Sequence, residues 1–150
     1  MPAEVLAGLS VRSGGRYVDG TLGLGGHATA ILDAAAPAGR LLGIDQDPEA
    51  RALAAERLAP FGGRVTIVAG NSRGLAEICR THGFDPTDGV LLDLGVSSLQ
   101  LGTAGRGFSF QHDAPLDMRM DPAAPLDAAT IVNQWPEAEI ARLLWEYGDE

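Results

Sequence analysis

Apolar runs alternate with amphipathic segments between residues 16 and 95. Short apolar runs predict four strands, and each of the first three is followed by a segment whose apolar residues have helical spacing. The predicted strands are 16–21, 40–46, 65–70 and 89–95, and the predicted helices are 26–36, 48–61 and 72–83. Repeats of roughly 20–25 residues in this alternation are typical of an α/β fold with an open parallel sheet and right-handed crossovers. We expect the strand order 3-2-1-4.

Residues at the predicted helix ends support these boundaries. Asp47 is predicted to cap the second helix, with Pro48 at its first position, because the carboxylate accepts from amides that have no partner in the first turn. Ser72 is a candidate cap for the third helix. The fourth strand is almost continuously apolar, which is typical of a parallel strand buried on both faces.

The pattern changes after Gly95. Residues 96–125 contain many Gly, Pro and Asp residues and form a segment too long for an ordinary connection, so it is either functional or an excursion from the sheet. Residues 127–150 have helical spacing, and Pro136 opens their main run. The apolar face of this run comprises Ile140, Leu143, Leu144 and Tyr147.

These patterns predict a core built on the parallel sheet, followed by a region of turns and helix. A four-stranded sheet with an open edge and an amphipathic helix without a partner look incomplete. We therefore expect the chain to be the N-terminal part of a longer protein, truncated before the remaining strands. The intact length of the parent polypeptide tests this expectation.

Composition restricts the class of protein. The chain has 150 residues, enough for one sizeable core, and 11 basic against 20 acidic residues give a net charge of −9. This balance argues against nonspecific nucleic-acid binding by the chain alone. One cysteine, Cys79, excludes an internal disulfide framework and fits a reducing cytoplasm. No membrane span, signal peptide, CxxC or HxxxH pattern is present, so neither a membrane location nor a metal site is expected.

The segment DGTLGLGGHA, after the first predicted strand, allows two ligand interpretations. Gly23, Gly25 and Ala28 match the dinucleotide pattern GxGxxG/A, and Asp45 at the end of the second strand would hold ribose hydroxyls, as in NAD-dependent enzymes. A pyrophosphate binds at a helix N-terminus because its negative charge is favoured there. Asp19 would add a negative charge at that place and so oppose a pyrophosphate.

S-adenosylmethionine poses the opposite electrostatic problem, since it has no phosphate and carries an ammonium and a sulfonium. An acid beside a glycine loop suits that ligand, and the glycines would let the backbone approach its methionine part. The residues therefore favour S-adenosylmethionine over NAD, with a turn that binds nothing as the third alternative.

Asp93 lies near the end of the fourth predicted strand. With the order 3-2-1-4, strands one and four flank the topological switch point, where doubly wound sheets bind ligands. Asp19, Asp45 and Asp93 are therefore expected at one edge of the sheet. Capping of a helix or turn remains the alternative for each acid taken singly.

Five segments occur in a characteristic order: DGTLGLGGH, GIDQDP, DGVLLDLGVSSLQL, RGFSF and PLDMRMDP. Together they resemble the bacterial small-subunit ribosomal RNA cytosine-N4 methyltransferases, the RsmH or MraW family. The resemblance runs from around Tyr17 to the end of the chain, where IARLLWEYGDE is similar to that family's YGEE segment. The glycine motif is weak evidence alone, whereas RGFSF together with PLDMRMDP is highly specific.

The resemblance implies a class I, Rossmann-like methyltransferase with a helical domain inserted after the fourth strand. The S-adenosylmethionine-binding core would then occupy 1–102, and the start of the inserted substrate-recognition domain would occupy 103–150. The implied methyl donor is S-adenosylmethionine, and the implied acceptor is N4 of a cytidine in the decoding region of 16S rRNA, within the small ribosomal subunit. The family's cofactor contacts fall on Gly25, Gly26 and His27 in the loop, on Asp45 for the ribose, and on Asp93 and Gln100 near the methionine and adenine parts.

Three positions depart from the family pattern. The chain opens with MPAEVLAGL rather than a His-x-Pro-Val-Leu-type segment, and Leu99 stands where Pro is usual. Ser72 occupies the adenine-site position where the family commonly has Phe. An aromatic ring there would stack on adenine, so this part of the cofactor site is expected to differ.

The chemistry requires an acceptor for the N4 hydrogens, because the lone pair of an exocyclic amine is delocalised into the ring. Asp93, with Ser97 and Ser98, follows the strand where other amino-methyltransferases carry their catalytic loop, so Asp93 and Ser97 are candidate catalytic residues. Asp117 is a third candidate. The alternatives are that Asp93 binds only cofactor, that the serines only form the turn, and that Asp117 only pairs with Arg119.

The segment RGFSFQHDAPLDMRMD supplies candidate RNA contacts. Arg106 and Arg119 would contact phosphate or base, and Phe108 and Phe110 would stack on a flipped cytosine, with packing as the alternative for both rings. The oligomeric state stays open, a homodimer included. Two alternatives to the methyltransferase remain: a cofactor-binding fragment without activity of its own, and an NAD-dependent oxidoreductase.

Overall fold

A computed structural model describes residues 2–148. The chain divides into two compact units, one running up to Gly95 and the other starting at Val96. Among the described residues, no helix is long and apolar enough to cross a membrane.

The first unit contains a four-stranded parallel sheet in the order β3-β2-β1-β4, as predicted. The strands are β1 (Arg16–Asp19), β2 (Arg40–Asp45), β3 (Val65–Ala69) and β4 (Gly89–Leu91). The helices of this unit are α1 (Pro2–Gly8), α2 (Gly26–Ala34), α3 (Pro48–Leu58) and α4 (Leu75–Thr81). Helix α1 was not predicted from the sequence.

The sheet is covered on both faces because successive side chains of each strand point in opposite directions. Tyr17 and its neighbour Val18 are both fully buried, yet they belong to different apolar clusters. The cluster around Tyr17 includes residues of α2 and α3, whereas the cluster around Val18 includes Cys79 of α4 and Phe84. Two-sided cover explains why successive residues at the centres of β1 and β2, Tyr17–Val18 and Leu41–Leu42, are all apolar and buried.

Helix capping matches the sequence at one end and differs at another. Asp47 caps α3 by accepting a hydrogen bond from the Glu49 amide at 3.0 Å, which confirms that prediction. The prediction that Ser72 caps the following helix is wrong. Asn71 accepts from the Arg73 amide at 2.9 Å and begins a short 3₁₀ turn, Ser72–Gly74, ahead of α4.

Strand β4 is shorter and more exposed than its sequence predicts. It ends at Leu91, and the side chains of Val90 and Leu92 are 37% and 46% exposed. The expectation of a strand buried on both faces is therefore wrong for the described residues. The reason is positional, since β4 pairs with β1 and lies at an edge of the described sheet.

The described residues of the second unit form helices and turns. Its helices are α5 (Ser98–Gly102), α6 (Ala128–Gln134) and α7 (Glu137–Gly148), with a 3₁₀ turn at Ala104–Arg106. On the predicted apolar face of α7, Ile140 and Leu143 are partly buried, whereas Leu144 and Tyr147 are exposed. That face is therefore only partly covered by the described chain.

Candidate functional site

The glycine loop between β1 and α2 is fastened to the end of β2. The Leu22 amide donates to the Ile44 carbonyl at 3.0 Å, and the Gly23 amide donates to Asp45 Oδ2 at 2.8 Å. Gly25 has a φ of 76°, and a Cβ at that position would lie 3.3 Å from Leu58. At Gly25, therefore, glycine is required by left-handed backbone and by the approach of α3, independently of any ligand.

Asp45 organises the loop as well as facing the ligand edge. Its Oδ2 accepts from the Gly23 amide, and its Oδ1 accepts from the Asp47 amide at 2.9 Å. These two bonds join the glycine loop to the start of α3. Because a carboxylate oxygen accepts more than one hydrogen bond, Asp45 keeps the capacity to bind the hydroxyls of a ribose.

Asp19 is the most enclosed acid at this edge. It is 1% exposed and accepts a hydrogen bond from the Thr21 amide at 3.2 Å. Burial raises the pKa of Asp19 to about 6, the Thr21 amide and His27 oppose the rise, and the charges of Asp45 and Asp93 add to it. Asp45 and Asp93 are thus close enough to Asp19 for their charges to act on it, and the three acids lie at one edge of the sheet, as expected from the strand order.

Asp93 lies two residues beyond the end of β4. Its amide donates to the Thr21 hydroxyl at 2.7 Å, and its Oδ2 lies 3.6 Å from His27 Nε2. His27, in the first turn of α2, has its Nδ1 buried without a hydrogen bond in the described part of the chain. Asp93 and His27 therefore face each other across the switch point between β1 and β4.

Thr21 is a site residue that the sequence reasoning missed. Its amide binds Asp19 and its hydroxyl binds the Asp93 amide, so it connects the two acids of strands that are far apart in the chain. The sequence feature that could have indicated Thr21 is its position two residues after Asp19, the last residue of β1.

Ser97 and Gln100 belong to the second unit, where they cap α5. The Gln100 amide donates to Ser97 Oγ at 3.2 Å, and the Ser97 amide donates to Gln100 Oε1 at 2.9 Å. This reciprocal pair is a capping box. The arrangement gives both side chains a local structural role, and their catalytic and cofactor roles remain predictions.

Asp117 and Arg119 form an ion pair with two-point geometry. Arg119 Nη2 lies 2.6 Å from Asp117 Oδ2, and Arg119 Nε lies 3.0 Å from Oδ1. The Arg119 hydrogen bonds lower the pKa of Asp117 to about 2, which makes this carboxylate a poor proton acceptor near neutral pH. The structure thus contains the pairing that was the alternative to a catalytic role.

Arg106 stabilises the same segment by hydrogen bonds to its backbone carbonyls. Its Nη2 donates to the carbonyls of Arg119 and Met120 at 2.9 and 3.0 Å, and its guanidinium lies 6.0 Å from the centre of the Phe108 ring. Phe108 is partly buried, whereas Phe110 is fully exposed. Both rings line an open cavity of about 370 Å³ formed by residues 107–118.

Ser72 lies in the 3₁₀ turn after β3, and its neighbour Asn71 donates to Gln46 Oε1 at 3.0 Å. A carboxamide contact therefore links the ends of β2 and β3 beside Ser72.

Within residues 2–148, no group of three or more His, Cys, Asp or Glu side chains could hold a metal ion.

Comparison with solved structures defines the class of fold. The protein-L-isoaspartate O-methyltransferase structure superposes with a TM-score of 0.53 and 18% identity, covering 63% of this chain and 29% of that one. Fibrillarin from Aeropyrum pernix, solved with natively bound S-adenosyl-L-methionine, gives a TM-score of 0.50 and 21% identity over 61% of this chain and 38% of that one. The sheet therefore has the Rossmann-like fold that these two methyltransferase structures share.

The chain belongs to the MraW methylase family, whose model matches residues 1–150. Ribosomal RNA small subunit methyltransferase H from Geotalea uraniireducens is 59% identical over all 150 residues, which correspond to 48% of that protein. The protein of the same name from Symbiobacterium thermophilum is 54% identical over 147 residues, 98% of this chain and 46% of that protein. The chain spans about half the length of these curated relatives.

Proposed function

We propose that this chain is the donor-binding part of an S-adenosylmethionine-dependent methyltransferase that acts on N4 of a cytidine in the decoding region of 16S rRNA. Its principal support is the group formed by Asp19, Asp45 and Asp93 beside the glycine loop. Three acids at one edge favour a cationic ligand and oppose a pyrophosphate. The names of the family and of its relatives favour the same reaction.

The donor would lie across the switch point, with its ribose at Asp45 and its cationic groups near Asp19 and Asp93. Gly23, Gly25, Gly26 and His27 are the proposed contacts for its methionine part. Ser72 and Gln100 remain proposed contacts for its adenine and methionine parts. Asn71 and Gln46 form a hydrogen bond beside Ser72, so polar side chains surround the position where the family commonly has an aromatic ring.

Bound S-adenosylmethionine would supply the methyl group of its sulfonium, and the sulfur would remain in a neutral thioether as the leaving group. Asp93 would accept a hydrogen bond from N4, orient its lone pair towards the methyl carbon and take up the proton that N4 loses. The 69% exposure of the Asp93 side chain leaves it accessible to a substrate. Ser97 is the secondary catalytic candidate, and its hydroxyl would have to act while capping α5.

We assign RNA binding to the segment of Arg106, Phe108, Phe110 and Arg119. Phe110 is the strongest of these candidates, since a fully exposed ring is available to stack on an unpaired base. Arg106 and Arg119 would support the segment through the bonds described above rather than contact phosphate freely. The substrate would be 16S rRNA in the small ribosomal subunit of the cytoplasm, and a homodimer is compatible with this role.

Two measurements test the proposed function. Calorimetry should give binding of S-adenosylmethionine and none of NAD. Methyl transfer to small ribosomal subunits from a strain that lacks the modification should depend on Asp93. We expect Asp93→Ala to lower transfer at saturating S-adenosylmethionine by about a hundredfold or more, a loss larger than the accompanying loss of affinity for the donor.

The exposed Asp33→Ala variant is the control and should leave transfer unchanged. Unchanged transfer at saturating S-adenosylmethionine, with only the donor affinity lowered, would instead assign Asp93 to cofactor binding alone. Binding of NAD in preference to S-adenosylmethionine would overturn the proposed function.

A second candidate is a donor-binding segment that transfers no methyl group by itself. It is favoured by the observation that the chain spans about half the length of its relatives. Parallel assays of residues 1–150 and of a full-length relative distinguish the two, because only the second candidate gives binding without transfer in the shorter chain.

A further inference from the structure

A threonine hydroxyl joins the two strands that flank the candidate site. Beyond the last paired residues of β1 and β4, the Gly20 amide donates to the Leu91 carbonyl at 2.9 Å, and the next link is the bond from the Asp93 amide to Thr21 Oγ1. The bond is 2.7 Å long and joins residues 72 positions apart. It fixes the backbone of Asp93 at a point where β4 has already ended.

The two polar groups of Thr21 have separate partners. Its amide donates to Asp19 Oδ1, and its hydroxyl accepts from Asp93. A substitution that removes only the hydroxyl therefore leaves the contact with Asp19 and releases Asp93. In the described part of the chain, the contact found for the exposed Asp93 side chain is the approach to His27 Nε2 at 3.6 Å.

We propose that Thr21 is a positioning residue, whose hydroxyl holds Asp93 in the place from which it orients the acceptor amine. This inference rests on the proposed function. Misplacement of a reacting group by about 1 Å can cost about a hundredfold in rate, so a single bond to the Asp93 backbone is sufficient to matter. Thr21 makes no contact with the substrate in this role and acts through Asp93.

The opposite end of the same two strands offers a matched control. The Thr87 hydroxyl donates to the Arg16 carbonyl at 2.8 Å and to the Gly89 carbonyl at 3.3 Å. Arg16 and Gly89 are the first residues of β1 and β4. Thr87 thus joins the same strands as Thr21, at the end opposite to Asp19 and Asp93.

The experiment compares Thr21→Val, Thr21→Ser and Thr87→Val in the full-length polypeptide. For each variant, kcat, the affinity for S-adenosylmethionine, the unfolding midpoint and the hydrogen exchange of the Asp93 amide are measured. We expect Thr21→Val to lower kcat about tenfold or more, to speed exchange of the Asp93 amide and to change donor affinity by less than about threefold. Thr21→Ser keeps the hydroxyl, so it should have the kcat and the Asp93 amide exchange of the unmodified protein.

Thr87→Val should lower the unfolding midpoint to a similar extent, with kcat within about twofold of the unmodified protein. Equal losses of kcat in Thr21→Val and Thr87→Val would overturn the inference, because both would then reflect pairing of the strands. A loss confined to donor affinity would also overturn it. An unmodified protein that transfers no methyl group would instead overturn the proposed function, and the role of Thr21 in that reaction with it.

Discussion

Among single residues, Asp19 makes the most specific prediction about stability. Its pKa is raised to about 6 by burial, against about 3.9 for an unfolded Asp. Between these values the folded state binds more protons than the unfolded state, so stability falls as the pH rises from about 4 to about 6. Asp19→Asn removes this penalty and should increase the free energy of unfolding at pH 7 by up to about 3 kcal/mol.

Urea unfolding at pH 7 and near pH 4 measures this effect. The difference between Asp19→Asn and the unmodified protein should shrink to about 0.5 kcal/mol at the lower pH, where the carboxyl is protonated in the folded state and about half protonated in the unfolded state. Asp33→Asn, on the exposed side of α2, is the control and should change stability little at either pH. A destabilised Asp19→Asn protein at pH 7 would contradict the prediction.

The positions of the acids could be predicted from the sequence more successfully than the residues that form hydrogen bonds or ion pairs with them. Asp19, Asp45 and Asp93 could be placed at one edge because strand ends follow from hydrophobic patterning. The contact of Thr21 with Asp93 could not be predicted, since a hydroxyl gives no signal of a partner 72 residues away. The pairing of Asp117 with Arg119 was foreseen only as an alternative, because spacing alone does not determine rotamers.

At the scale of elements, the turn into α2 depends on the packing of α3. Gly25 and Gly14 share a φ of 76°, but a Cβ added at Gly14 would meet nothing within 4 Å, whereas one added at Gly25 would lie 3.3 Å from Leu58. Gly14→Ala should therefore cost only the strain of left-handed backbone, about 1 kcal/mol. Gly25→Ala should cost more, about 2–3 kcal/mol, because α3 must also shift.

Equilibrium unfolding of the two variants measures the difference. Equal destabilisation would show that contact with Leu58 contributes nothing, and that the conformation of the loop alone requires glycine at position 25.

Elements with strong periodicity could be predicted, and elements set by context could not. Strands β1 and β2 alternate between two apolar clusters, so their sequences carry both the type of element and its burial. Strand β4 has a similar sequence but lies at an edge, and nothing in its own residues reports how many neighbours it has. The 3₁₀ turn at Ser72–Gly74 was missed because Asn71 and Ser72 are equally good caps by type.

For the molecule as a whole, charge limits how strongly the chain can hold RNA. All eleven basic residues are arginines, against 20 acids. Eight of these arginines make hydrogen bonds, ion pairs or ring contacts within the chain: Arg12, Arg16, Arg40, Arg51, Arg64, Arg106, Arg119 and Arg142. These internal contacts occupy part of the donor capacity of the guanidinium groups, and the excess of acids further opposes the binding of phosphate.

Residues 1–150 should therefore bind single-stranded RNA weakly, with a dissociation constant no tighter than about 10⁻⁵ M at physiological salt. Each phosphate neutralised contributes about −0.7 to the slope of log K against log salt, so a slope shallower than about −1.4 is expected. Fluorescence anisotropy over a salt series measures both quantities, and calorimetry with S-adenosylmethionine on the same sample establishes that the protein is folded. A slope near −4, which corresponds to about six phosphate contacts, would mean that the internal contacts of the arginines yield to RNA. Under the proposed function, weak binding would mean that the segment of Arg106, Phe108, Phe110 and Arg119 supplies only part of the affinity for the rRNA. The rest would come from the part of the relatives that this chain does not span, or from ribosomal proteins around the target.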